Sequence, residues 1–299
     1  MAQSSPAVAS ARAPGKVNLG LWVGPVSSDG FHPLLTAFQA VDVWEEVHVI
    51  DADDLQLEVV SDLDISGVPL GPDNLAWRAA ILLADHLGLD PRGRLVIDKS
   101  VPVAGGMAGG SADAAATLKA LGQHWRADLS SAQWSELATQ LGSDVPFCLL
   151  GTAAIGRGRG EQLDEVSVSS PLHLVMVQAD FALSTAEVYR HYDQIHPGAT
   201  LPTELPEGFV AAWQSGDATA LAPLLHNDLE RAACSLRPEI SETLAAVEQA
   251  GALRAIVSGS GPTVMGLARD ADHAHDIATT LGDSGHAVRV TQSLPTRSG

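Results

Sequence analysis

The stretch from Val101 to Thr117 holds four glycines (Gly105, Gly106, Gly109 and Gly110) among the small residues Ala104, Ala108 and Ser111, then runs into alanines. Glycine lets a backbone approach an anion closely, and the first N–H groups of a helix have no partner inside it. Strand, glycine loop and helix start, in that order, cradle a phosphate. The alternating apolar residues of 93–98, ending at Lys99, predict the strand, and the alanine-rich run from Ser111 to about Leu121 predicts the helix. The loop lacks the Gly-Lys-Ser/Thr ending of a Walker A loop and the strand-plus-acid context of a dinucleotide fingerprint, so it belongs to another nucleotide-binding class. A flexible loop before an ordinary core helix is the plain alternative. The glycines fall at the loop rather than in a linker, which favours a nucleotide phosphate.

Phosphoryl transfer needs positive charge on the phosphates and an acid near the acceptor hydroxyl. Lys16 and Asp144 are the natural pair, since both stand in short polar interruptions between apolar elements, where a charge is costly unless matched. A structural salt bridge fits the same spacing, and spacing alone does not choose. Lys99, Arg157 and Arg159 are the other cations to watch. The turn from Ser27 to Pro33 presents Phe31 and His32, and a second glycine turn spans Ser258 to Pro262, which fits a tight hairpin equally well. His273 and His275 beside Asp272 and Asp276 look like a metal cluster, but residues two apart on a helix point to different faces. No Gly-x-Ser-x-Gly elbow occurs, which argues against a serine hydrolase.

The elements that must position these groups can be read in outline. A turn signal at Pro14 and Gly15 precedes a strand through Val17, Leu19, Leu21 and Val23, with Lys16 and Asn18 on its other face. Residues 39–50 and 55–60 read as further strands, antiparallel. Asp73 or Asn74 caps a helix that continues to about Leu87, which is reason enough for either residue. Ser131 caps a helix to Leu141, with Gln133 out of register for a capping box. The run 142–147 reads as a turn holding Asp144, and 151–160 as a second glycine-rich loop. Beyond it come a strand at 172–177, a helix opening at Ser184, a proline-rich connection over 197–208, and helical segments around Ala211, 218–225 and 240–249. Strand, glycine turn and strand span 255–267, followed by a helix at 272–281 and a closing strand at 286–291.

At 299 residues, two domains are the better expectation, divided near 156–172, with residues 1–165 and 166–299 as the two halves. The hydrophobic share of 45% is ample for a core, and no apolar run approaches the ~20 residues that span a bilayer. Residues 1–12 read as a disordered start and not as a signal peptide. Two cysteines, Cys148 and Cys234, argue against a disulfide framework and for a reducing cytoplasm. A net charge of −19 repels nucleic-acid backbones, so a small-molecule substrate is expected, and no nucleic acid or membrane partner. Oligomeric state is not legible.

Taken together, residues 14–21, 102–116 and 257–264 resemble the three motifs of the GHMP small-molecule kinases. Residues 29–32, 72–79, 142–147 and 151–158, in that order, resemble one family among them, the 4-diphosphocytidyl-2-C-methyl-D-erythritol kinases. The resemblance covers nearly the whole chain. It implies an α+β, two-domain GHMP kinase fold: an N-terminal ATP-binding domain like domain 2 of ribosomal protein S5, and a ferredoxin-like α/β C-terminal domain. It implies transfer of the ATP γ-phosphate to the 2-hydroxyl of the cytidyl substrate, with magnesium supplied as Mg-ATP and no metal ligand assignable. Asp144 would take the hydroxyl proton and Lys16 would stabilise charge on the same hydroxyl. Pro102, Val103, Ala104, Gly105, Gly106, Met107, Ala108, Gly109, Gly110, Ser111 and Ala112 would hold the triphosphate, with Asp113 in the same helical turn. Asn74 and Lys99 match positions lining the adenosine. Phe31 and Tyr189 match the aromatics that sandwich the cytosine, which the His32 region would select by hydrogen bonds. Asn18 and Thr185 match positions near the substrate. Phe31 stands where the family usually has tyrosine, so stacking survives while a hydroxyl contact is lost.

Overall fold

The structure is a computed structural model that describes residues 9–103 and 105–296. Residues 1–8 of the expected disordered start, and Ala104 of the phosphate loop, lie outside the described residues. The chain divides into two compact units that are interleaved in sequence. Of the described residues, the first unit takes 9–15, 43–103 and 108–151, and the second takes 16–42, 105–107 and 152–296.

Two long strands contribute to both units: β1 (Ala9–Val23) and β2 (Leu34–Ile50). β1 already begins at Ala9, so residues 9–12 are strand rather than a disordered start. Pro14 and Gly15 also lie inside it instead of forming a turn, because the fixed φ of proline suits extended chain. The first unit continues with β3 (Leu55–Val60), α1 (Leu75–Leu87), β4 (Gly93–Asp98), α2 (Gly109–His124), α3 (Ser131–Leu141) and α4 (Val145–Leu150). β4 lies between β2, antiparallel with Glu46 opposite Asp98, and β3, parallel with Leu55 opposite Gly93. β2 and β3 thus run in opposite directions, as expected, but with β4 between them.

Asn74 caps α1, its Oδ1 accepting from the Ala76 N–H at 2.8 Å, and Gly88 ends the helix at a φ of 67°. The buried stripe Ala76, Ala79, Ala80, Leu83 and Ala84 faces α2, whose alanines let the two axes come close. α2 starts at Gly109, two residues earlier than composition suggests, because Gly109 and Gly110 join its first turn and Ala108 supplies a left-handed φ of 59°. The cap of α3 is Ser130, not Ser131, and Gln133 completes a capping box with it. The expected turn at 142–147 passes into the short helix α4, where Pro146 sits in the first turn and forfeits no helical hydrogen bond.

In the second unit, β5 (Ala153–Arg157) pairs antiparallel with residues 36–39 of β2, and β6 (Gln162–Glu165) pairs with β5. The expected glycine loop at 151–160 is therefore mostly strand, with a turn only at 158–160. Next come β7 (His173–Gln178), α5 (Thr185–Ile195), α6 (Phe209–Ser215), α7 (Ala218–Leu221), β8 (His226–Asn227), α8 (Glu230–Leu236) and α9 (Glu239–Gln249). β9 (Arg254–Val257), β10 (Val264–Ala268), α10 (Ala271–Asp283) and β11 (Ala287–Gln292) close the chain. β11, β7, β10 and β9 form an antiparallel sheet in that order, while the two-residue β8 pairs parallel with β1 at Gly20 and Leu21. Val175, Val177, Val188, Val247, Val257 and Ile277 form the centre of this unit's core. Among the described residues, no helix is long and apolar enough to cross a membrane.

Ser130→Ala removes the side-chain half of the α3 cap and is expected to cost about 1 kcal/mol of stability, read as a lower urea midpoint with an unchanged slope. An unchanged midpoint would show that the box contributes nothing.

Candidate active site

In the first unit, the start of α2 offers backbone N–H groups that could take an anion. The N–H groups of Gly109, Gly110 and Ser111 belong to its first turn, where no intrahelical acceptor exists for them. Gly110 is exposed and Ser111 partly so, which leaves room for a phosphate. Asp144 occupies the N-cap position of α4 and is partly exposed. Asn74 is 5% exposed and fully engaged in shaping the chain, since its Nδ2 also donates to the Pro69 carbonyl at 2.8 Å.

Lys99 is a buried cation. Its Nζ donates to Glu45 Oε1 and to Asp113 Oδ2, both at 2.8 Å, and the three residues are 4%, 0% and 3% exposed. Burial alone would lower the Lys99 pKa, but the Asp113 and Glu45 carboxylates outweigh it and hold it above the usual lysine value. Burial pushes Asp113 up. It also pushes Glu45 up to about 7, with the neighbouring Asp113 charge acting in the same direction and Lys99 against it.

In the second unit, the alternation of β1 puts Lys16, Asn18 and Gly20 on one face. Lys16 and Asn18 are 5% and 2% exposed, so this face is not a solvent face. Lys16 Nζ donates to Asn18 Oδ1 at 2.8 Å, Asn18 Nδ2 to Thr36 Oγ1 at 2.7 Å, and Thr36 Oγ1 to the Gly20 carbonyl at 2.8 Å. The relay fixes the amide orientation of Asn18 and aims the ammonium. The Lys16 N–H meanwhile donates to the Met107 carbonyl at 3.0 Å, tying β1 to the glycine loop.

The turn at 258–261 approaches both. A Cβ on Gly259 would stand 3.5 Å from Lys16 Nζ and from Asn18 Oδ1, and one on Gly106 would stand 2.2 Å from the Ser258 carbonyl oxygen. Gly106 also has a φ of 71°, so both space and backbone require glycine there. Asn227 holds this turn: its Nδ2 donates to the carbonyls of Val257 and Gly259, each at 2.7 Å, and its Oδ1 accepts from the Leu229 N–H at 2.9 Å. Thr185 and Ser260 share a hydroxyl–hydroxyl bond of 2.8 Å.

Phe31 is half exposed, and the Arg159 guanidinium lies 3.7 Å from its ring centroid while donating to Asp29 Oδ2 at 2.8 Å. His32 stacks at 5.0 Å on Tyr189, and its Nε2 is bonded to Asp193 Oδ1 at 2.8 Å. Arg157 donates instead to the Thr203 carbonyl at 2.8 Å. His273 and His275 make their bonds to the backbone of Arg269 and Ala271.

Within the second unit the structure thus brings Lys16, Asn18, Gly106 and Met107 to the 258–261 turn, and His32 to Tyr189. Within the first it brings Lys99 to Gly109. Lys16 belongs to the second unit and Asp144 to the first. Reading the sequence alone missed Glu45, Asn227, Asp193 and Ser260. Asn227 and Glu45 act on backbone far along the chain, and no local pattern announces such a bond. Ser260 had a signal, its place inside the second glycine turn.

Gly106→Ala is expected to destabilise the protein by at least roughly 1–3 kcal/mol from backbone strain alone, with weaker nucleotide binding, seen as a lower melting temperature; wild-type stability would contradict the close approach to Ser258. The raised pKa of Glu45 gives a second expectation. Between its ordinary value of 4.5 and about 7, the folded state keeps a proton that the unfolded chain releases. Stability from this group is therefore present below pH 4.5 and lost as pH rises to about 7. Glu45→Gln should flatten that fall in a series of denaturation midpoints against pH, and an unchanged slope would refute it.

The model of the GHMP kinases N terminal domain matches residues 74–152, and that of the GHMP kinases C terminal matches residues 209–287. A 4-diphosphocytidyl-2-C-methyl-D-erythritol kinase from a Nocardioides species is 48% identical over 286 residues, covering 95% of this chain and 96% of its own length. One from Thermobifida fusca is 46% identical over 289 residues, 94% of each chain. A crystal structure of 4-(cytidine 5'-diphospho)-2C-methyl-D-erythritol kinase superposes with a TM-score of 0.79 at 32% identity, covering 96% of this chain and 100% of that one. A mevalonate kinase from L. major, at a TM-score of 0.76 but 17% identity, shares the fold. This chain, with its α+β architecture, belongs to the 4-diphosphocytidyl-2-C-methyl-D-erythritol kinase family of the GHMP kinases.

Proposed function

We propose that the protein transfers the γ-phosphoryl group of ATP to the 2-hydroxyl of 4-diphosphocytidyl-2-C-methyl-D-erythritol, a step of isoprenoid precursor synthesis by the non-mevalonate pathway. The observation that carries this reading is the buried Lys16–Asn18–Thr36 relay beside the 258–261 turn: a cation held in a fixed direction next to glycine backbone. Residues 1–165 handle ATP and residues 166–299 complete the site, and the two family matches fall on either side of that division.

The chemistry follows from charge. The 2-hydroxyl gives its proton to the Asp144 carboxylate as its oxygen bonds to the γ-phosphorus, and the bond to the β-phosphate oxygen breaks to leave ADP. Lys16 opposes the negative charge that develops at the attacking oxygen, with Asn18 holding its direction. The N–H groups of residues 105–111 and the start of α2 receive the phosphates, while Pro102, Val103 and Ala112 flank them and Asn74 and Lys99 border the adenosine. Magnesium bound to ATP would neutralise charge on the transferring group, and no residue of this chain is assigned as its ligand. Phe31 and Tyr189 stack the cytosine, the His32 region selects it by hydrogen bonds, and Thr185 lies near the substrate. That the chain has only two cysteines, Cys148 and Cys234, supports a reducing, cytoplasmic setting, and the net charge of −19 supports a small-molecule partner rather than a nucleic acid.

ADP release from Mg-ATP, with the cytidyl alcohol, homoserine and mevalonate offered in parallel, tests the assignment. Turnover is expected with the cytidyl alcohol alone, and Asp144→Asn should lower kcat by roughly 10²–10⁴-fold with little change in KM. Turnover of homoserine or mevalonate instead would remove the substrate assignment and the roles of Phe31 and Tyr189.

A further inference from the structure

Glu45 has no part in the reaction above, yet it is wholly buried and accepts three hydrogen bonds. Lys99 Nζ donates to it at 2.8 Å, the Ser100 N–H at 2.9 Å and the Val101 N–H at 3.2 Å. Lys99 carries the link on to Asp113 Oδ2 in the first turns of α2. The two ends of the glycine loop meet at this cluster. A Cβ on Gly109 would stand 3.3 Å from Glu45 Oε1, from Lys99 Nζ and from Val101 Cγ1. Gly109 is thus a glycine partly because the ion cluster presses on the helix start.

We propose that Glu45 is a positioning residue for the ATP phosphates: through Ser100 and Val101 it fixes where the chain enters the loop, and through Lys99 and Asp113 it fixes where the loop passes into α2. The charge count favours geometry over direct attraction. One ammonium faces two carboxylates, so the cluster carries no net positive charge to offer a phosphate. Among the described residues Asp113 Oδ1 has no hydrogen-bond partner, an arrangement that costs less when the cluster holds an extra proton. What the cluster offers is a fixed frame for backbone N–H groups, whose grip on an anion depends on placement. Beside its place at the adenosine, Lys99 then acts on the phosphates through the loop. The role rests on the reading of residues 102–112 as the ATP-phosphate loop.

The test measures Mg-ATP binding by calorimetry, KM for ATP and for the cytidyl alcohol, and hydrogen–deuterium exchange, on the full chain and on Glu45→Gln and Asp113→Asn. Glu45→Gln should raise the ATP Kd and KM about tenfold and leave the KM of the alcohol within about twofold. Faster exchange should be confined to residues 100–112. Asp113→Asn, which leaves the hold on Ser100 and Val101, should raise the ATP KM about threefold. Should Glu45→Gln fail to fold, Asp113→Asn decides alone: the threefold rise supports the role and no rise overturns it. A folded Glu45→Gln that binds Mg-ATP within about twofold of wild type overturns the role and leaves the loop reading standing. Equal rises in both KM values, or exchange raised across the whole first unit, mark a merely structural acid and also overturn it. Wild-type protein that binds no Mg-ATP removes the loop reading and the role together.

Discussion

A charge taken out of water must be matched inside the fold, and in the first unit that constraint is met at one place. Glu45 on β2, Lys99 at the end of β4 and Asp113 on α2 come from three elements, and each satisfies another across a 2.8 Å bond. An ion pair of this kind adds little to stability compared with a well-packed apolar core. Its strength is discrimination, because a shift of strand against helix leaves a buried charge without its partner. The start of α2 is held by the interaction that tolerates displacement least.

The second unit meets a different constraint, close approach of backbone to backbone. Gly106 lies under the Ser258 carbonyl, Gly259 passes beside Lys16, and Asn227 fixes the turn that brings them there. Side chains at Gly106 and Gly259 would crowd the neighbouring backbone, that of Ser258 most of all. The absence of a Cβ is the chemical content of both glycine motifs, and the neighbouring polar side chains serve to hold bare backbone still.

Local chemistry made much of this legible in advance. The cap at Asn74, strand β4, the glycine loop and the strand–turn–strand at 254–268 each follow from residue type and spacing over a few positions. Boundaries failed where tertiary contacts override local preference. β1 runs through Pro14 and Gly15 because it is paired, and α2 absorbs two glycines, with the ion cluster crowding the place of any side chain at Gly109. Glu45 was invisible because its partners stand 54 to 56 positions along the chain. In Trp44-Glu-Glu it looks like the solvent face of a strand. Asn227 was hidden in the same way, in a two-residue strand without periodicity. By contrast Lys16 and Asp144 stood out as polar interruptions of apolar runs, a signal that survives in sequence because burial of a polar group is costly.

The path of the chain through the second unit also sets an order of assembly. Lys16 and Gly106 leave the ribosome early, but the turn that packs beside them, and the Asn227 amide that holds it, belong to the last third of the chain. Vectorial synthesis cannot finish this half of the site piecemeal. A nascent or truncated chain that ends before Asn227 holds the ammonium and the first glycine loop without the backbone that frames them. The frame around Lys16 and Gly106 therefore arises only after residues 227–261 have been made.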